Sequence, residues 1–228
     1  MAEESITENM TRAGKLLFNF AFPFAILGAY ILIIYIIIPH EIFLTLMGLL
    51  AIYFIPPAGK ESVIPLGISL GMPWWLIGTS VAMMDIVAAT FMVLNFDLAL
   101  KIPVLGDKWM KSFMEHGEEF FDSHRWIERF SSFGLLIFVV IPLQGTGGIT
   151  TPIVGRMIGI SRKNIMAAVI AGSLIGSYTI ALGSEFVKIL FLTDIRYGVA
   201  ALAVLAAATG GGYLLYTRNK NRLKGKIP

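Results

Sequence analysis

The stretch "IPPAGKESVIPLG", Ile55 to Gly67, decides how the chain is read, because a second stretch, "IPLQGTGGITTPIVG", Ile141 to Gly155, repeats its plan. Both run I-P-x-x-G, then reach a second proline (Pro65, Pro152) and a further glycine (Gly67, Gly155). Proline removes a backbone donor and breaks a helix, and glycine permits the angles that the turn then needs. Pro56, Gly59 and Pro65 in the first stretch, and Pro142, Gly145 and Pro152 in the second, are therefore expected to break helices. Short apolar arms flank each stretch: Ile42–Ile55 and Val63–Met72 around the first, Phe130–Leu143 and Ile153–Ile160 around the second. A helix of about 14 residues covers only about 21 Å, short of the roughly 30 Å of hydrocarbon in a bilayer. Each pair of arms is read as a re-entrant hairpin, over residues 42–72 and 130–160, that dips into the membrane and returns to the same side. Reading each pair as one kinked span is the alternative.

The composition demands a membrane. Of 228 residues, 56% are hydrophobic and 14% charged, where a soluble domain has about a quarter charged; mean hydropathy is +0.76. The chain has no cysteine, which excludes disulfides and thiolate chemistry. The first fifteen residues, "MAEESITENMTRAGK", are polar and acidic, unlike the basic start of a cleavable signal peptide. Four segments are long enough to cross a bilayer: Leu16–Ile38, Trp74–Phe96, Asn164–Phe186 and Tyr197–Thr217.

If both hairpins are re-entrant, fifteen of the eighteen Lys and Arg residues fall on one side, Lys188 and Arg196 on the other, and Lys60 inside the first hairpin. The positive-inside rule then makes residues 1–15 and the basic tail 218–228 cytoplasmic, with one membrane domain over 16–217. The expected fold is an all-α integral membrane protein with four transmembrane helices and two opposed re-entrant helical hairpins. One hairpin enters from outside and the other from the cytoplasm, an inverted-topology repeat of the kind that builds many secondary transporters. The linker 97–129 interleaves Trp109, Phe113, Phe120 and Trp126 with charge, as in a helix lying in the interface. Its His116 and His124 stand among Glu115, Glu118, Asp122 and Glu128. A solvated amphipathic face accounts for that mixture, and no metal or other cofactor is expected.

Charge inside the bilayer costs several kcal/mol, roughly 2.5 or more per group, so buried ionisable residues are functional candidates. Lys60 and Glu61 lie at the first tip, Asp85 near the middle of the following span, and Arg156 just after the second tip. The second tip adds Gln144, Thr146, Gly147, Thr150 and Thr151, and broken helices aim N–H groups and positive dipole ends into the space they share. Such a tip suits an anion or polar headgroup. One reading makes Lys60 and Arg156, with these polar tip residues, the substrate site, and Glu61 or Asp85 the proton carrier. The other makes the charges ion pairs that hold the two hairpins together.

"KESVIPLGISLGMP" and "IPLQGTGGITTPIVGRMIGISRKN" resemble the paired signature of the small multi-drug export family of prokaryotic membrane proteins, over roughly Ile52 to Lys188. That family resembles, more remotely, the DedA-type (SNARE-associated) superfamily. The resemblance implies facing re-entrant hairpins and a transport role in a prokaryotic plasma membrane. Its DedA side implies a flippase that moves polyprenyl-phosphate or other phospholipid headgroups with proton coupling. Membrane lipids and protons are the expected partners, with no nucleic acid, and the glycine-rich last span allows a homodimer. Efflux of small cationic drugs and an intramembrane lipid-phosphate enzyme are the alternatives, although the tips carry no histidine, cysteine or Asp-rich motif for catalysis.

Overall fold

The computed structural model describes residues 2–55, 58–96, 131–140, 147–204 and 207. The linker 97–129, the tail 218–228 and most of the expected fourth span lie outside the described residues. Among those described, the ordered elements are all helical. They are α1 (Ala2–Ile37), α2 (His40–Tyr53), α3 (Lys60–Ser69), α4 (Trp74–Leu94), α5 (Ser131–Val140), α6 (Thr150–Met157) and α7 (Arg162–Thr193), followed by a shorter apolar helix, α8 (Ile195–Val204). Three stretches are long and apolar enough to cross a membrane: Gly14–Ile37 in α1, and the whole of α4 and α7. Of the most apolar part of each, 72% is buried in α4, 44% in α7 and 11% in α1. The α4 helix is therefore the enclosed one.

Contacts divide the chain into two compact units, Met1–Ala181 and Leu182–Pro228. In the second, Lys188 pairs with Glu185 at 3.7 Å, and the Asp194 carboxylate accepts from the Arg196 N–H where α7 gives way to α8. The first unit carries everything discussed below.

Two large apolar cores form in that unit, with a small third one of Met92 and Ile153, and α4 serves all of them. Leu76, Ile77, Val81 and Met84 of α4 pack with Leu46, Leu49 and Leu50 of α2 and Val63, Ile64 and Ile68 of α3. Further along the same helix, Ala89 and Val93 pack with Leu135 and Val139 of α5, Val154 of α6 and Ile165, Ala168 and Val169 of α7. Asp85 falls at the seam between the two large ones.

The two broken-helix segments are built alike. The α3 helix ends with the Leu70 N–H on the Leu66 carbonyl, Gly71 on Ile68 and Met72 on Gly67; α6 ends with Ile158 on Val154, Gly159 on Arg156 and Ile160 on Gly155. Gly71 and Gly159 take the left-handed backbone, at φ +87° and +81°, which closes a helix without the penalty a Cβ would bring. A Cβ on Gly67 would meet Ile77 and Leu49, and one on Gly155 would meet Ile165 and Leu135. Each short return helix thus lies against its incoming arm and its outgoing span in the same register.

The breaks themselves fall earlier than the second prolines. Gly59 is extended (φ −144°, ψ −175°) and opens α3 at Lys60, with its N–H donated to the Ser62 hydroxyl at 3.0 Å. Pro65 lies inside α3 and Pro152 in the first turn of α6. Proline is tolerated in a first helical turn, where its missing N–H is an orphan in any case. Helix breaking at Pro65 and Pro152 is thereby corrected: the first interruption precedes Gly59. Pro56, Pro142 and Gly145 lie outside the described residues.

Candidate functional site

Midway along α4, 1% exposed, the Asp85 carboxylate gathers donors from both broken-helix segments. Its Oδ1 accepts from the Tyr53 hydroxyl at 2.6 Å and from the Gly148 N–H at 2.9 Å. Its Oδ2 accepts from the Ser173 hydroxyl at 2.9 Å and pairs with the Lys60 ammonium at 3.5 Å. Lys60 is 3% exposed and makes its shorter contact, 2.9 Å, with the Val139 carbonyl. So α2, α3, α7 and the second tip each contribute a donor to one carboxylate, and α5 supplies a carbonyl to its counter-ion.

Local structure explains why these groups are free to meet. Tyr53 is the last residue of α2, Lys60 the first of α3, and Val139 lies in the last turn of α5. Helix ends leave N–H groups without partners at the start and carbonyls at the finish. A carboxylate is favoured at a positive N-terminal end and an ammonium at a negative C-terminal end. Asp85 meets the Gly148 N–H just ahead of α6, and Lys60 meets the terminal carbonyls of α5. Glycine is required at the second tip by space: a Cβ on Gly147 would stand 2.5 Å from Asp85 Oδ1, and one on Gly148 would overlap the Asp85 backbone carbonyl.

The sequence candidates separate in three dimensions. Lys60, Asp85 and Gly147 come together. Thr150 and Thr151 are buried at the start of α6. Glu61 is exposed at the first tip, its carboxylate folded against Gly59, and does not touch Asp85. Arg156 sits at the far end of α6 with its guanidinium over the Phe96 ring, 5.4 Å from the centroid; its enclosed Nε has no hydrogen-bond partner among the described residues. Gln144 and Thr146 lie outside the described residues. Of the four charges singled out, Lys60 and Asp85 pair with each other, and Lys60 also reaches the Val139 carbonyl of α5.

Tyr53, Gly148 and Ser173 are site residues that charge alone did not single out. A signal for two of them was available. The spacing that carries Gly67 to Gly155 and Ile77 to Ile165 also carries Lys60 to Gly148 and Asp85 to Ser173. Two residues at matching places in the repeat thus hydrogen-bond to each other at the centre. Elsewhere on α4 the polar groups are satisfied between helices: Ser80 pairs with Tyr30 of α1 at 2.7 Å and Thr79 with Tyr178 of α7 at 2.6 Å. Among the described residues no group of His, Cys, Asp and Glu is arranged to hold a metal.

Apolar helices of spanning length, enclosing an ion pair where two interrupted helical segments converge, define a multi-pass membrane protein. The family model described as "Putative small multi-drug export protein" matches residues 61–179, about half of the chain, and the chain belongs to that family. The match includes Asp85, Gly148 and Ser173, and begins one residue after Lys60. No curated protein and no solved structure matches the chain.

Proposed function

We propose that the protein is a proton-coupled membrane transporter in which Asp85 is the coupling carboxylate, and that it moves a substrate with an anionic head, of the lipid-linked phosphate class. The observation that carries this reading is the donor set on Asp85: one backbone N–H, two hydroxyls and an ammonium. Those are the donors an oxyanion requires. Asp85 acts as a resident anion that holds them while the site is empty. Protonation removes its charge, loosens Lys60 and Tyr53, and hands the donors to the incoming head. Deprotonation after release restores the pair, so proton and substrate exchange at one place.

In this reading the two hairpins are re-entrant and oppositely inserted, both termini are cytoplasmic, and rocking of one repeat against the other alternates access. The shared terminal turns and the shared packing of Gly67 and Gly155 support the repeat. A second reading, efflux of small cationic drugs, is favoured by the family's description; a cation would then displace Lys60 and pair with Asp85.

One preparation tests both. Proteoliposomes are assayed for flipping of a short-chain polyprenyl phosphate and for export of a lipophilic cation, using wild type, Lys60→Ala and Arg156→Ala. The first reading expects flipping that is lost in Lys60→Ala. Cation export that survives or rises in Lys60→Ala, without flipping, supports the second and overturns the first.

A further inference from the structure

Three of the four described groups around the Asp85–Lys60 pair are sealed, as is Lys60 itself. Lys60, Gly148, Val139 and Ser173 are buried, and Asp85 itself is 1% exposed. Tyr53 is the exception. It is partly exposed, its hydroxyl donates to Asp85 Oδ1 in the shortest bond of the cluster, 2.6 Å, and its ring stands edge-on to the exposed Phe54 at 5.5 Å. A proton that reaches Asp85 in this conformation has one described side chain to pass, and that side chain has a hydroxyl already aimed at the acceptor.

Resting on the reading of Asp85 as coupling carboxylate, we infer that Tyr53 is the proton-relay residue of the transporter, carrying protons between water at the exposed first tip and the buried Asp85. The transfer balances as a single concerted hop. The Tyr53 O–H bond breaks toward Asp85 Oδ1 while the phenol oxygen takes a proton from hydronium or water on the exposed side. Tyrosine is regenerated and one proton has moved inward. Gly147 completes the fit, since a Cβ there would stand 3.2 Å from the Tyr53 hydroxyl and crowd it away from Asp85.

The other titratable groups among the described residues do not offer a parallel path. From α3, Lys60 faces Asp85, but it is buried and tied to the Val139 carbonyl. From α7, α5 and the second tip the described contacts are Ser173, Val139 and Gly148, which do not titrate. Tyr30 of α1 and Tyr178 of α7 are bonded to Ser80 and Thr79 of α4, and Arg156 of α6 lies over Phe96.

The test follows protonation itself, independent of any transported molecule. The full chain in nanodiscs is subjected to a downward pH jump, and the carbonyl stretch of a protonated carboxyl is followed by time-resolved infrared spectroscopy. Asp85→Asn assigns the Asp85 band. In Tyr53→Phe, which keeps the ring and removes the hydroxyl, the band is expected to reach its full amplitude but to appear at least about tenfold more slowly. Tyr53→3,5-difluorotyrosine, which keeps the shape and acidifies the phenol, is expected to change the rate as well, and it decides the matter alone if Tyr53→Phe does not fold. A purely structural role for Tyr53 would alter the final amplitude or the unfolding temperature and leave the rate unchanged. Wild-type rates in the folded variants overturn the relay while leaving Asp85 as the coupling group. Absence of an Asp85 band in wild type overturns both.

Discussion

Lys60 stands at the first residue of α3, where the helix dipole disfavours a cation, in a site 3% exposed. Its two acceptors among the described residues, Asp85 Oδ2 and the Val139 carbonyl, make that position tenable. Removing one member of a buried pair strands the other charge, a loss of about 3–5 kcal/mol, whereas removing both is often close to neutral. Lys60→Met is therefore expected to lower stability by about that amount in detergent unfolding, and Lys60→Met/Asp85→Asn to recover most of it. Equal stability of wild type and Lys60→Met would show that the pair does not hold the hairpins together. Lys60 and Asp85 were legible as candidates because charge in apolar sequence stands out. Tyr53 was not, because uncharged hydroxyls are common in membrane helices and only the fold reveals which of them faces a carboxylate; Ser173 was legible only as the repeat counterpart of Asp85.

At the scale of the element, each interrupted segment is a short helix pressed between an arm and a span, and a glycine sets how closely it approaches. The Cβ contacts at Gly155, 2.7 Å to Ile165 and 3.0 Å to Leu135, are tighter than those at Gly67, 2.9 Å to Ile77 and 3.2 Å to Leu49. Overpacking of this kind costs about 1–3 kcal/mol. Gly155→Ala and Gly67→Ala should both destabilise, the former more, while Gly48→Ala on α2, with nothing within 4 Å, should not. Thermal unfolding in detergent measures all three, and a neutral Gly155→Ala would contradict the packing. Proline and glycine spacing drew attention to these segments in sequence. It placed the break too broadly, because Pro65 and Pro152 look the same in sequence whether they end a helix or lie within one. What separates the cases is Gly59, whose extended backbone and bond to Ser62 start α3 before Pro65 is reached.

For the whole molecule, the re-entrant reading makes a topological claim that three spanning helices alone do not contain. It places Glu41, at the start of α2, and Ser69, at the end of α3, on one side of the membrane, and Ser161, ahead of α7, on the other. A kinked span would put Glu41 and Ser69 on opposite sides. The absence of native cysteine makes the test direct: single cysteines at these exposed positions are labelled in intact cells with an impermeant maleimide. Labelling of Glu41→Cys and Ser69→Cys without Ser161→Cys is expected, and protection of Ser69→Cys would support the kinked span. Membrane class was legible from composition, because the cost of exposing so much apolar surface leaves few alternatives. The convergence of both segments on α4 was not, since it depends on which faces of nearly uniform apolar helices meet.

The central claim is that Asp85 links proton movement to transport, and the most direct measurement is gradient-driven flipping of a short-chain polyprenyl phosphate by wild type and Asp85→Asn in proteoliposomes of equal protein content. The account predicts that an imposed pH gradient accelerates wild type severalfold and leaves Asp85→Asn, whose amide keeps the shape but cannot titrate, at its ungraded rate. An Asp85→Asn protein that responds to the gradient as wild type does would contradict it.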